Sequence, residues 1–176
     1  YKAAIGSQRR NEDICQIRWF VIEKLLDSWV NEMQRGFIRN RQMILNVVEI
    51  ETRAAEFAFN PDAHPCMWLF DFAAAFPSIA RPFIWIVLES IGIPFHVVCA
   101  IRALYTNNIH FIHGRTGLFY AFCAGAGVRQ GCPLSSILFV VVTDCIIRAI
   151  AAKIPPGDLL RAYADDLAIV ARNFHT

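Results

Sequence analysis

Toward the end of the chain, Tyr163-Ala164-Asp165-Asp166 sets two adjacent acids between apolar segments that include Ala162 and Leu167-Ala168-Ile169-Val170. The pattern predicts strand, tight turn, strand, with the carboxylates at the tip. Two ionised carboxylates about 4 Å apart repel by roughly 4 kcal/mol at an effective dielectric near 20, and a divalent cation relieves that repulsion. The pair alone also reads as a solvated turn, because Asp suits turns for backbone reasons. A third acid, Asp71, closes the apolar run Cys66-Met67-Trp68-Leu69-Phe70. That run predicts a strand buried on both faces, so its terminal carboxylate must be neutralised, paired or metal-bound, unless it serves as an N-cap. His110, His113, Cys123 and Cys132 match no common zinc spacing, and alternation puts the two histidines on opposite faces of a strand.

The elements that must position these acids follow from periodicity. Ile14, Ile17, Val21, Leu25, Trp29 and Met33, with Glu12 and Asp13 in the first turn, predict an amphipathic helix ending at Gly36. Ile44, Val47, Val48, Ala54, Ala55 and Ala58 predict a second, closed by Asn60-Pro61. Between them, Gln34-Arg35-Gly36-Phe37-Ile38-Arg39-Asn40-Arg41 is a link in which Arg35, Arg39 and Arg41 are candidates to hold a nucleic-acid backbone, or are ordinary exposed arginines. After Asp71, Ser78 is placed to cap a helix carrying Arg81 and Pro82 in its first turn and ending at Gly92. Another helix restarts at Pro94 and runs to Asn107-Asn108. Residues 109–113 and 118–123 predict a hairpin around Gly114-Arg115-Thr116-Gly117. The glycine-rich turn Gly125-Ala126-Gly127-Val128-Arg129-Gln130-Gly131 then opens a long apolar helix broken by Pro155-Pro156-Gly157.

With 176 residues, 56% of them hydrophobic and 18% charged, the chain can build one domain with a sizeable core. A mean hydropathy of +0.39 is high for a complete soluble domain and predicts buried strands or surfaces covered by further polypeptide. No apolar run is expected to reach a membrane span, since the greasiest stretch, 137–142, is bounded by Ser135, Ser136, Thr143 and Asp144. A net charge of +2 does not by itself argue for nucleic-acid binding. The start lacks an initiating Met and a secretory h-region, so an intracellular location, the nucleus included, and an internal fragment are expected. The six cysteines have no CxxC spacing and read as reduced core residues.

Acid at a strand end, Gln-Gly turn before a helix, Tyr-x-Asp-Asp hairpin: in this order the chain resembles a reverse transcriptase of the non-LTR retrotransposon and group II intron type. Phe70-Asp71-Phe72-Ala73-Ala74-Ala75-Phe76 is similar to the family's first catalytic motif, and Gly127-Val128-Arg129-Gln130-Gly131-Cys132-Pro133-Leu134-Ser135 to its nucleotide-pocket motif. Tyr163-Ala164-Asp165-Asp166 is similar to its third, and the 34–41 link to its upstream Gln-x-Gly-Phe-x-x-x-Arg signature. The resemblance implies an α+β right-hand polymerase palm, an antiparallel sheet packed on helices, over residues 61–176 with a fingers insertion at 107–125. Residues 1–60 would be partial, helical fingers, and the chain would stop before the primer grip and thumb.

The implied activity is RNA-directed DNA polymerisation with RNA template, DNA or RNA primer and dNTPs as partners and no membrane. Two Mg2+ ions, or Mn2+, would be bridged by Asp71 and Asp165 with Asp166 in support. Phe76 would exclude a ribonucleotide 2′-hydroxyl, Ala75 would leave room for the 3′-hydroxyl, and Phe72, Gln130 and Gly131 would complete the nucleotide pocket. Pro77 stands where the family often has an acid. A decayed, non-catalytic RNA-binding copy is the alternative. An RNA-dependent RNA polymerase is excluded by the lack of a Ser-Gly-x-x-x-Thr turn and a Gly-Asp-Asp hairpin.

Overall fold

The computed structural model describes Ile22, Leu26 and residues 28–174. In chain order it forms α1 (Met43–Ala58), β1 (Cys66–Asp71), α2 (Ala75–Ser78), α3 (Arg81–Ser90), α4 (Phe95–Tyr105), β2 (Ile109–Gly114), β3 (Gly117–Cys123), α5 (Pro133–Ala151), β4 (Leu159–Tyr163) and β5 (Asp166–Ala171). Alternation along β4 and β5 divides their side chains between two faces. Leu159 and Val170 pack with Phe57, Ile50 and Ala54 of α1, while Leu160, Ala162 and Leu167 pack with Ile147 of α5. The result is an antiparallel sheet of order β1-β5-β4 with a helix on each side of its β4–β5 half.

β1 departs from expectation. It is an edge strand, and Met67, Leu69 and Phe70 are 50%, 70% and 48% exposed rather than buried on both faces. The helices cover β4 and β5 and leave β1 bare, so a continuous apolar run here marks an uncovered edge and not a central strand.

α5 is the core. From Leu134 to Asp144 all but Ser136 are buried, as a helix apolar on all sides requires. It packs on Ile84 and Leu88 of α3 and on Val98, Ile101 and Tyr105 of α4 in the main apolar cluster. The expectation that no segment reaches a membrane span is corrected here: by length and composition the 19 residues Pro133–Ala151 qualify, although 61% of their most apolar window is buried inside this fold.

Other expectations shift locally. Ile14, Ile17, Val21 and Leu25 of the first predicted helix lie outside the described residues, and from Ser28 to Met33 the backbone is turned rather than helical up to Gly36. Ser78 ends α2, donating its hydroxyl to the Ala75 carbonyl at 3.0 Å, instead of capping α3, which starts after Ala80 with Pro82 in its first turn. α3 does end as predicted. Gly92, at φ +82, donates to Glu89 and Ile93 donates to Leu88, a Schellman closure. The β2–β3 hairpin forms a separate two-stranded sheet.

Glu49 of α1 ties this helix to the sheet and to the link. It accepts from Arg35 at 2.7 Å and from Arg161 of β4. The Arg35 hydrogen bond, followed by the hydrogen bond and charge of Arg161, holds the Glu49 carboxyl below its ordinary 4.5 against partial desolvation. A depressed folded-state value means stability that is present above the unfolded value and lost as pH falls through the folded one. The expected result is that the urea midpoint of wild type exceeds that of Glu49→Gln at pH 7, and that this gap closes as pH drops below 4.5.

Candidate active site

Antiparallel pairing carries an acid from the first half of the chain to the pair near its end. Asp71, last in β1, is in register with Asp166, first in β5, and Asp166 is in turn paired with Tyr163 of β4. Only Ala164 and Asp165 form the turn, so Asp166 belongs to the strand and not to the tip. Asp71 and Asp165 line one cavity of about 410 Å³, together with Phe72, Ala73, Ala74, Ala75, Phe76, Pro77, Val128 and Gln130. Asp166, beside Asp71 across the strand pair, also borders a second cavity, of about 270 Å³, with Tyr163, Arg161, Asn46 and Met43.

The glycine-rich segment reaches the first cavity by backbone contact. Val128 N–H donates to Phe76 O at 3.0 Å and Gly127 N–H to Ile79 O at 2.8 Å. Gly127 sits at φ +76, and a Cβ there would come within 2.7 Å of Pro77 Cα and 2.8 Å of its carbonyl oxygen, so only glycine fits. The loop is fastened by Arg81, whose guanidinium donates to the carbonyls of Gly127, Ala124 and Tyr105 at 3.0, 2.5 and 3.1 Å. Phe76 is wedged between Phe139 of α5 at 5.0 Å and Phe37 of the link at 6.3 Å between ring centroids. Gly131 lies next door, in a cavity that shares Phe76 and is lined by Arg129, Cys132 and Pro133 at the start of α5.

None of the carboxylates of Asp71, Asp165 and Asp166 takes a hydrogen bond or ion pair from a described residue. The Asp166 carboxyl is pushed up, first by desolvation from its immediate neighbours and then by the charges of Asp165 and Asp71. Uncompensated acids of this kind suit a hard divalent cation, and Mg2+ is commonly held by one or two carboxylates with water and substrate phosphates completing its shell. Asp71 and Asp165 fit that donor set. Among the described residues no three His, Cys, Asp or Glu side chains converge to cage a metal unaided.

The model of the family described as Reverse transcriptase (RNA-dependent DNA polymerase) matches residues 9–176. The chain belongs to that family. It is 31% identical over 106 residues to the Retrovirus-related Pol polyprotein from type-2 retrotransposable element R2DM of Drosophila melanogaster, a match covering 57% of this chain and 10% of the polyprotein. The retrotransposon relative agrees with the non-LTR type that the motifs resemble. Among solved structures, apo telomerase of Candida tropicalis truncated from its C-terminal domain superposes with a TM-score of 0.64 at 13% identity, over 92% of this chain and 33% of that one. Telomerase of Candida albicans, in complex with a fragment of telomeric RNA, superposes with a TM-score of 0.58 at 15% identity, over 91% and 30%. These share the right-hand polymerase fold.

In this reverse transcriptase domain two of the link's three arginines, Arg35 and Arg41, have internal partners. Arg35 donates to Asn46 at 2.9 Å as well as to Glu49, and Arg41 donates to the carbonyls of Val30, Asn31 and Gln34 at 2.9, 2.6 and 2.6 Å. Arg39 is exposed. Sequence reading passed over the residues that fasten the site, Arg81 and Gln34. Gln34 is fully buried, and the signal that could have found it is the glutamine that opens the link signature.

Proposed function

We propose that this chain is the catalytic core of an RNA-directed DNA polymerase that extends a primer 3′ end with deoxynucleotides. The observation that carries the proposal is the shared cavity of Asp71 and Asp165 with Phe72, Ala75, Phe76 and Gln130. Asp71 and Asp165 would hold Mg2+, which when bound activates a hydroxyl nucleophile and stabilises developing phosphate charge. The chain's own residues supply position. Phe76, pinned between Phe139 and Phe37, has little freedom to move and walls the cavity where a nucleotide sugar would lie. Buried Ala75 beside it offers only a methyl group. Gln130 follows Gly127 and Val128, whose N–H groups bond the Ile79 and Phe76 carbonyls and so tie the loop that presents it to that wall. Asp166, the cross-strand neighbour of Asp71, adds negative charge beside that cavity.

The described part of 1–60 and the β2–β3 hairpin belong to the fingers in this reading, and the remainder to the palm. Arg39, exposed on the link, is the residue there best placed to meet a nucleic-acid phosphate. The chain spans a tenth of the retrotransposon polyprotein it matches, so the test uses the full-length protein. Primer extension on an RNA template is expected to incorporate dNTPs and to reject rNTPs. Phe76→Ala is expected to narrow that discrimination by roughly 100-fold, the scale of selectivity that a fitted apolar wall provides. Unaltered sugar selectivity in Phe76→Ala removes the nucleotide from this cavity.

A further inference from the structure

Ala164, the residue before Asp165, has φ +56, a left-handed conformation that costs an Ala about 1–2 kcal/mol and persists only where the surroundings enforce it. The enforcing groups come from the link, 130 positions earlier in the chain. Gln34 Nε2 donates to the Ala164 carbonyl at 3.2 Å, and Gln34 Oε1 accepts the Ala164 N–H at 2.9 Å and the Gly36 N–H at 2.7 Å. One buried amide therefore satisfies both backbone groups of the turn residue. Gly36 lies flat against the same residue, where a Cβ would fall 2.1 Å from Ala164 N. On either side, Ala162 N–H donates to Met33 O and Arg35 N–H to Ala162 O, both at 2.9 Å, so the link adds a short parallel bridge to β4.

The rest of the link is anchored to hold this strap in place. Arg41 gathers the carbonyls of Val30, Asn31 and Gln34, and Arg35 reaches Asn46 and Glu49 on α1. Asn46 itself donates to Ala162 O at 2.9 Å. Phe37, next to Gly36, faces the ring of Phe76. A single eight-residue segment thus touches both the turn that carries Asp165 and the aromatic wall of the nucleotide cavity.

We infer that Gln34 is a positioning residue: its side-chain amide imposes the backbone geometry of Ala164 and so aims the Asp165 carboxylate into the cavity it shares with Asp71. This rests on the polymerase reading of that cavity. Gln34 is fully buried and does not line the cavity of Asp71 and Asp165, so its loss displaces the turn without removing a group from that cavity. A misplacement on the order of 1 Å in such a group costs up to about 100-fold in rate.

The experiment compares wild type, Gln34→Ala, Gln34→Glu and Asp165→Ala in the full-length protein by steady-state primer extension, together with hydrogen exchange over residues 159–166. The Gln34→Glu variant keeps the acceptor for the two N–H groups and turns the donor into an oxygen facing the Ala164 carbonyl, so it tests the strap even if Gln34→Ala does not fold. Expected are a kcat lowered about 10- to 100-fold with KM for dNTP unchanged, and faster exchange at the turn with the remainder of the domain protected. A kcat equal to wild type in the folded variants, or a loss that follows the folded fraction with exchange at the turn unaltered, overturns the inference. Activity retained by Asp165→Ala overturns the polymerase reading instead, so the two failures are told apart.

Discussion

Asp165→Ala and Asp71→Ala are each expected to lower dNTP incorporation by roughly a thousandfold, as read by primer extension on an RNA template with the full-length protein, the scale seen when a principal electrostatic element of a site is removed. The expectation follows from their placement. They are the two acids that line the cavity of Phe76 and Gln130, and they reach it from different elements, the end of β1 and the β4–β5 turn, so neither can substitute for the other. Their loss should leave the fold intact. No described side chain pairs with either carboxylate, and their charges add to the desolvation that already pushes the neighbouring Asp166 carboxyl up. Removing one charge relieves that repulsion, so the melting temperature of both variants is expected to equal or exceed that of wild type, a trade of stability for function at a charged site. Inactive variants that melt well below wild type would instead mark Asp71 and Asp165 as structural.

Arg148→Met is expected to be the most destabilising change on the surface of α5. Asp144 is 0% exposed in the middle of the apolar helix, and its carboxylate accepts from Arg148 Nε at 2.6 Å, one turn on, and from Asn31 N–H at 2.8 Å. The Arg148 guanidinium, 46% exposed, also donates to the Trp29 carbonyl and lies 5.1 Å from the Trp29 ring centroid. Removing the arginine strands a buried anion, which costs about 3–5 kcal/mol, and the lower end applies because Asn31 still donates. For a domain of this size about 3 kcal/mol lowers the melting temperature by about 6–12 °C. Adding Asp144→Leu should recover much of the loss, because the stranded charge goes with it. A double variant less stable than Arg148→Met would contradict that origin.

The helices α3, α4 and α5 and the two hairpins were legible because each is bounded by local chemistry, Pro82 and Gly92, Pro94, Pro133, and paired apolar runs around short turns. The exposure of β1 was not legible. An apolar run reads as buried whether its neighbours cover it or not, and the order β1-β5-β4 is a property of pairing between distant segments. The helix α5 was legible to its end, but its apolar reach was underestimated: Ser136, Thr143 and Asp144 look like polar boundaries in sequence, yet Thr143 returns its hydroxyl to the Phe139 carbonyl at 3.0 Å and Asp144 is paired with Arg148, so the apolar character continues past them. At the site, the residue types of Asp71, Phe76, Gln130 and Asp165 pointed to one chemistry. Two things were not readable from residue types alone. One is the place of Asp166, which opens β5 opposite Asp71 and does not share the tip of the turn with Asp165, and which depends on where the turn ends. The other is the strap of Gln34 and Gly36, whose arginine neighbours drew attention to charge when Arg35 and Arg41 are engaged within the fold itself.

Binding of Mn2+ to the full-length protein with primer, RNA template and dNTP present, followed by electron paramagnetic resonance, tests the pairing of the two acids most directly. Wild type is expected to immobilise the ion, and Asp71→Asn and Asp165→Asn are each expected to release it, because both carboxylates face the same cavity. Retention of the bound-ion signal by either variant would separate the two acids and contradict the account.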